Sequence, residues 1–197
     1  MERATKDRRD DLRNTLTDIA ERMVAETGAA SVKARPLAEA AGCSVGAIYN
    51  VFTDLDALLM AVNGRTFRRL GAHVSAALQA VEATPQERLV IMGHAYLDFA
   101  SQHTNAWRAL FDLRMSTDME VPGWYLQELA AVFALIAGPL RDIFPSWSDE
   151  RIDLMTRALF SSVHGIVLLG LEKRISGVPL AQVEDMIATV LAQVTDR

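Results

Sequence analysis

Cysteine is almost missing from this chain: Cys43 is the only one, so no intramolecular disulfide can staple the fold. Aromatic residues are scarce, at 7% of 197 residues. Strict apolar–polar alternation is rare, which argues against a sheet-based core. The longest apolar run, Leu129 to Leu140, has 12 residues and contains Gly138-Pro139, too short to span a bilayer. An excess of positive charge is missing too. Lys and Arg number 20 against 25 Asp and Glu, a net charge of −5, which excludes a globally basic nucleic-acid binder. The amino-terminal end is charged throughout and holds no signal-peptide core, so a soluble, cytoplasmic protein is expected. No Gly-rich phosphate loop or nucleophile elbow occurs. His94 and Asp98 stand four apart, a spacing suited to a metal pair, but no third ligand follows. Neither a metal nor a cofactor is expected.

Half of the residues are hydrophobic, and Ala, Leu, Arg, Glu and Met are plentiful. That composition favours an all-α chain. The charge is uneven: residues 1–52 carry 8 residues of each sign, whereas 53–197 carry 12 basic and 17 acidic ones. Arg3, Lys6, Arg8, Arg9 and Arg13 open the chain, either as a solvated helix start or as a basic arm for phosphates. Leu12, Leu16, Ile19, Met23 and Val24 make one apolar stripe to about Glu26, and Gly28 stops that helix.

The stretch Ala34 to Phe52 reads as two short helices, Pro36 to Ala41 and Val45 to Phe52, joined at Gly42-Cys43-Ser44. Gly42 can take the left-handed conformation that ends a helix, and Ser44 can cap the next one. Leu37, Ala38, Ala41, Val45, Ile48 and Val51 can share one small core. This is the spacing of a helix-turn-helix, whose second helix enters the DNA major groove. Cys43 packs beside the turn as a small apolar group.

Six further segments have helical signals. Thr53 or Asp54 caps a helix that continues to about Val81. Thr84-Pro85-Gln86-Glu87 is a capping box, followed by a stripe of Leu89, Met92, Tyr96 and Phe99. A helix over Asn105 to Met115 precedes a loop, Ser116 to Gly123, and Trp124 to Ala137 is helical, with Phe144-Pro145 closing the segment. Ser146 or Ser148 opens a helix to about Ile175 that is apolar on two faces, one of Ile152, Met155, Leu159, Val163 and Ile166, the other of Leu154, Ala158, Ser161, Gly165 and Leu168. Beyond the turn at Gly177 and Pro179, Leu180, Val183, Ile187, Val190, Leu191 and Val194 mark the last helix. About nine helices result, arranged as a helix-turn-helix domain over 1–52 and a helical body over 53–197, to which the resemblance described next assigns effector binding and dimerisation.

The segment LAEAAGCSVGAIYNVFTDLDALLMAV, Leu37 to Val62, resembles the TetR family of transcriptional regulators. The features that carry the resemblance are the Ala41-Gly42 turn, Gly46-Ala47, Tyr49 with Phe52 three residues on, and Leu58-Leu59 after an acid-rich turn. FSSVHG, Phe160 to Gly165, is similar to a His-Gly motif of one subset of the family's carboxy-terminal domains. Two positions depart from the pattern. The family usually has a phosphate-binding Lys where Leu55 stands, and a Thr or Ser where Lys33 stands.

The resemblance implies DNA reading by Val45, Gly46, Ala47, Tyr49 and Asn50, with Lys33, Arg35 and Ser44 on phosphates. Val45 or Ala47 can meet a thymine methyl and Asn50 can read adenine. Tyr49 either donates its hydroxyl to a phosphate or packs as an ordinary aromatic. The resemblance also implies a small-molecule effector and a paired body. Met92, Tyr96, Phe99, Trp107, Phe111, Trp124, Phe133 and His164 either line its pocket or belong to a plain core. One reading head covers few base pairs, so a homodimer on a palindromic operator is expected. Leu154, Ala158, Ser161, Gly165, Leu168, Val183, Ile187 and Val190 are its candidate interface, in a four-helix bundle of 148–175 and 179–194. The expected function is a repressor released from DNA by a small, mainly apolar ligand. A regulator without such an effector and an all-helical enzyme are the rival readings.

Overall fold

A computed structural model of the chain describes residues 2–113, 121–172 and 179–195. The side chains of residues 2–5 and of Val194 are outside the description, as are most of the loop expected over 116–123 and the turn at Gly177. Among the described residues the fold is all-α, with no strand. The helices are α1 (Glu2–Thr27), α2 (Ala34–Ala40), α3 (Val45–Tyr49), α4 (Leu55–Gln79), α5 (Pro85–Gln102), α6 (Thr104–Asp112), α7 (Gly123–Ile143), α8 (Asp149–Leu171) and α9 (Leu180–Thr195), with a short 3-10 turn at Ala29–Ser31.

Local chemistry sets most boundaries. Gly28 and Gly42 end their segments with φ of 87° and 63°, which an L side chain rarely adopts. Asp54 accepts the Ala57 N–H at 2.7 Å, starting α4. The Thr84–Glu87 box forms in both directions, with the Thr84 N–H donating to Glu87 at 2.8 Å and the Glu87 N–H to Thr84 Oγ1 at 3.3 Å. The exposed Glu87 carboxylate is held below its ordinary pKa by the backbone and hydroxyl of Thr84. Ser148, rather than Ser146, caps α8.

Several bounds differ from expectation: α3 ends at Tyr49 and not Phe52, α4 at Gln79 and α6 at Asp112, and two further differences involve proline. The helix α2 starts two residues earlier, placing Pro36 in its third position, where the missing N–H is still one that no helical carbonyl would have accepted. The helix α7 runs through Pro139 to Ile143. Proline forfeits one helical hydrogen bond. The buried Leu140, Ile143 and Phe144 hold the final turn in place.

The chain divides into two compact units. The first joins Met1–Phe67 to His103–Tyr125, and the second joins Arg68–Gln102 to Leu126–Arg197. This division follows packing, so α6 and the start of α7 fall with the helix-turn-helix. In the first unit Leu16, Leu37, Ile48 and Leu58, all 0% exposed, form a filled core with Val24, Phe52 and Val62. Arg65 of α4 bridges Asp18 and Glu21 of α1, and Asn105 of α6 donates to the Ala25 carbonyl at 3.0 Å. Burial disfavours the charged Arg65, but its hydrogen bonds to both carboxylates outweigh this and raise its pKa.

In the second unit α5 and α8 pack against α9 at two glycines. A Cβ on Gly93 would come within 2.5 Å of Ile187, and one on Gly170 within 2.6 Å of Val183. By length and composition α7 and α8 could each cross a membrane. Each nevertheless buries a stripe in the unit's own core, through Ala137, Leu140 and Ile143 on α7 and Ile152, Leu159 and Val167 on α8.

Candidate functional site

The first candidate surface is α3, a helix of 5 residues. Only Ile48 points inward, at 0% exposure. Val45 and Tyr49 are 37% and 48% exposed. Gly46 and Asn50 are also exposed, and Ala47 is half-buried. A Cβ on Gly46 would meet nothing closer than Ser44 Oγ at 3.9 Å. Ser44 caps the helix by accepting from the Ala47 N–H at 3.2 Å, and its hydroxyl hydrogen can still be donated outward. Lys33 and Arg35, at the start of α2, are exposed. The DNA-contact candidates are thus exposed, or half-buried at Ala47, on α3 and at the start of α2, with small side chains at Gly46 and Ala47.

Arg13 is used differently from the basic arm in which the sequence groups it. Its guanidinium lies over the Phe52 ring at 4.3 Å, and Nη1 donates to the Val51 carbonyl at 3.2 Å. It therefore closes the far end of the α3 segment from α1. Leu55 is half-buried and packs against the first unit's core. An apolar residue suits that environment, which accounts for its place here without a phosphate contact.

The second candidate site is a cavity of about 60 Å³ within the second unit. Its wall is aliphatic: Leu70 and Val74 of α4, Leu89 of α5, Val132, Leu135 and Ile136 of α7, Leu159 and Val163 of α8, and Leu191 of α9. Met92, Gly93, Tyr96 and Phe160 complete it. Tyr96 Oη lies 2.8 Å from His164 Nδ1, and the His164 ring stacks on Phe160 at 5.6 Å between centroids. Burial lowers the His164 pKa, favouring the neutral ring.

Of the residues proposed for a pocket, Met92 and Tyr96 line this cavity and His164 reaches it through Tyr96. The others lie elsewhere. Phe99 is buried against the His73 ring. Phe133 lies in a separate groove between α7 and α8, with Arg157 5.5 Å from its ring centre. Trp107, Phe111 and Trp124 belong to the first unit, because α6 packs on α1. Trp107 fills core there at 0% exposure, whereas Phe111 and Trp124 are exposed. The aliphatic wall carries no signal in the sequence that sets its residues apart from ordinary helical stripes.

The pairing candidates also separate. Leu154 is 70% exposed, and Ala158 and Ser161 are exposed on the same face of α8, with Gly165, Leu168 and, on α9, Val190 half-buried. Val183 and Ile187 correct the expectation: both are 0% exposed, covered by the chain's own α8 and α5 at Gly170 and Gly93. His94 and Asp98, four residues apart, likewise turn to different partners. His94 Nε2 approaches the Glu184 carbonyl at 3.2 Å, while Asp98 pairs with His73 at 3.0 Å. Among the described residues no group of three or more His, Cys, Asp or Glu could hold a metal ion.

Comparison with known proteins bears on this architecture. A family model described as "Tetracyclin repressor-like, C-terminal domain" matches residues 89–194, more than half of the chain. No curated protein matches. Among solved structures, a protein of unknown function from Rhodococcus sp. RHA1 is similar with a TM-score of 0.76 at 22% identity, over 94% of this chain and 96% of that one. RolR, solved with resorcinol, gives 0.70 at 21% identity, over 97% and 90%. FadR from Bacillus subtilis, solved with stearoyl-CoA, gives 0.68 at 16%, over 90% and 96%. These likenesses are of fold. With a family model matching most of its carboxy-terminal body, the chain belongs to the TetR family of transcriptional regulators.

Proposed function

We propose that this regulator is a cytoplasmic homodimeric repressor, not an enzyme, that binds a palindromic operator and leaves it when a small, mainly apolar ligand enters the second unit. The observation that carries the reading is the outward face of α3, capped at Ser44 and anchored by Ile48 alone. Val45, Gly46, Ala47, Tyr49 and Asn50 read bases or approach the backbone, and Lys33, Arg35 and Ser44 hold phosphates. The stripe of exposed Leu154, Ala158 and Ser161 and half-buried Gly165 and Leu168, with half-buried Val190, supports pairing through α8 and α9. The cavity supports an effector, as do the small molecules bound by RolR and FadR. A ligand that binds more tightly to a conformer with wrongly spaced reading heads shifts the population away from DNA.

The first experiment is titration of the purified protein with DNA from upstream of its own gene and with random DNA at moderate salt. Preference for the upstream DNA is expected, and equal affinity would sink the operator reading. Lys33→Ala should reduce the slope of log affinity against log salt by about 0.9 if Lys33 neutralises one phosphate. Pairing is tested with Gly165→Arg. No heavy atom lies within 4 Å of a Cβ built there, so the monomer has room for it. The variant should fold and sediment as a monomer. A folded dimer would remove this face from the interface.

A further inference from the structure

We propose that the amino-terminal part of α1 binds DNA phosphates beyond the carboxy-terminal end of α3, through Lys6 and Arg9, with Arg13 as the positioning residue that holds this strip in register with the reading face. The inference rests on the reading of α3 as the helix that enters the groove, and it adds a contact surface on a different helix.

A gap in charge motivates it. Between Arg35 and Arg65 the sequence has no Lys or Arg, whereas it has Glu39, Asp54 and Asp56. Lys33, Arg35 and Ser44 all precede α3, so the segment that follows it, from Asn50 to Gly64, offers no cation to a phosphate. Yet α3 is only 5 residues long, about 7 Å, whereas the major groove is about 12 Å wide. The groove has a phosphate wall on each side, and so short a helix leaves both to be met from outside it. At the far end of α3 the cations have to come from elsewhere in the chain.

Helix α1 supplies them. Lys6, Arg9, Arg13, Leu16, Ala20 and Val24 recur at spacings of three and four, so they share one face. Leu16, Ala20 and Val24 are 0% exposed in the first unit's core. Towards the start of the helix the same stripe turns basic. Arg13 shows where it points: its guanidinium covers the Phe52 ring at 4.3 Å and donates to the Val51 carbonyl at 3.2 Å, just past the end of α3. Arg9 stands one turn and Lys6 two turns nearer the start, about 6 and 10 Å along the axis, and both are exposed. Arg13 is engaged by the protein itself, so it fixes the strip beside α3 and leaves phosphate binding to the other two. Asp10 borders the strip, whereas Asp7, Arg8 and Asp11 lie round the other side of α1.

The test uses the full chain and fluorescence anisotropy with labelled upstream DNA and a labelled random duplex over a series of salt concentrations. Lys6→Ala and Arg9→Ala should each reduce the slope of log affinity against log salt by about 0.9 per phosphate released, and should weaken both DNAs by the same factor. Arg8→Ala removes the same charge from the opposite side and should leave the slope unchanged. Arg13→Ala should also keep the slope, but should reduce the preference for upstream over random DNA about tenfold, the size of one lost base contact. Thermal unfolding confirms that each variant is folded, and the exposed Lys6, Arg8 and Arg9 can be changed without touching the core. Unchanged slopes in both Lys6→Ala and Arg9→Ala would overturn the proposal. So would an equal slope change in Arg8→Ala, which would mark a general charge effect, or an Arg13→Ala variant that keeps its preference for upstream DNA. If the wild type prefers upstream DNA but Lys6→Ala and Arg9→Ala bind as it does, the strip fails alone. If the wild type shows no such preference, the operator reading fails, and the slopes on the random duplex still decide the strip.

Discussion

The two units use the same material, helices with apolar stripes, and reach opposite results. The first buries Leu16, Leu37, Ile48, Leu58 and the Trp107 ring at 0% exposure among its described residues. The second leaves a hole between α4, α5, α7, α8 and α9. Yet the second is not loosely built. Along α9 it is tighter than an alanine would allow, at Gly93 and Gly170. The cavity is therefore local. Close approach at Gly93 borders open space beside Tyr96, one turn further along the same face of α5. A hollow core can coexist with a rigid seam, and the seam can keep the hollow from collapsing.

Matched substitutions can break that contrast. The largest expected effect is Leu37→Ala in the filled core, in the upper part of the usual range of about 2–5 kcal/mol, measured by urea unfolding. Leu159→Ala, equally apolar but beside the cavity, should cost less, because a side chain facing a void has fewer contacts to lose. Equal losses would mean that the cavity is closed in solution. Next comes the seam. Gly170→Ala should destabilise by about 1–3 kcal/mol through overpacking against Val183, whereas Gly165→Ala, with open space around it, should be neutral or stabilise by up to about 1 kcal/mol. Similar melting temperatures for the two would refute the tight seam.

A smaller effect is expected at the reading helix, where Ser44→Ala should cost about 1 kcal/mol by releasing the Ala47 N–H. The smallest concerns pH. The His164 pKa is lowered on folding by burial, so the unfolded chain binds the proton more readily. Its contribution is fully present above the ordinary value of 6.5 and is lost as pH falls below that value towards the folded pKa. The difference in stability between the wild type and His164→Phe should therefore shrink as pH is lowered through this window. A constant difference would show that the ring does not titrate with folding.

What was legible in the sequence was local. Ser44, Asp54, Thr84 with Glu87, and Ser148 all cap helices because their side chains bond backbone groups three residues away. Gly28 and Gly42 were readable because few other residues take their φ values. The all-α class followed from periodicity for the same reason. What was not legible depended on which neighbour a helix face meets. Val183 and Ile187 look like any other apolar residues of α9, and only the distant glycines on α5 and α8 decide that they face inward. Trp107 is chemically suited to a pocket, yet α6 packs on α1 and uses it as filler. Arg13 reads as a surface cation until Phe52 and the Val51 carbonyl come within its reach. The course of α7 through Pro139 likewise depends on burial that the local sequence opposes.

The arrangement of α3 has a consequence for how this protein can change over generations. Its fold is secured from outside the reading face: by Ser44 at one end, by Arg13 of α1 at the other, and by the single inward residue Ile48. Val45, Tyr49 and Asn50 contribute little to the buried interior. Mutations at those positions can accumulate with small losses of stability, since surface changes are usually within about 0.5 kcal/mol. Drift in target preference is thereby uncoupled from the risk of unfolding. A duplicated copy could acquire a new operator in a few steps while keeping its scaffold intact.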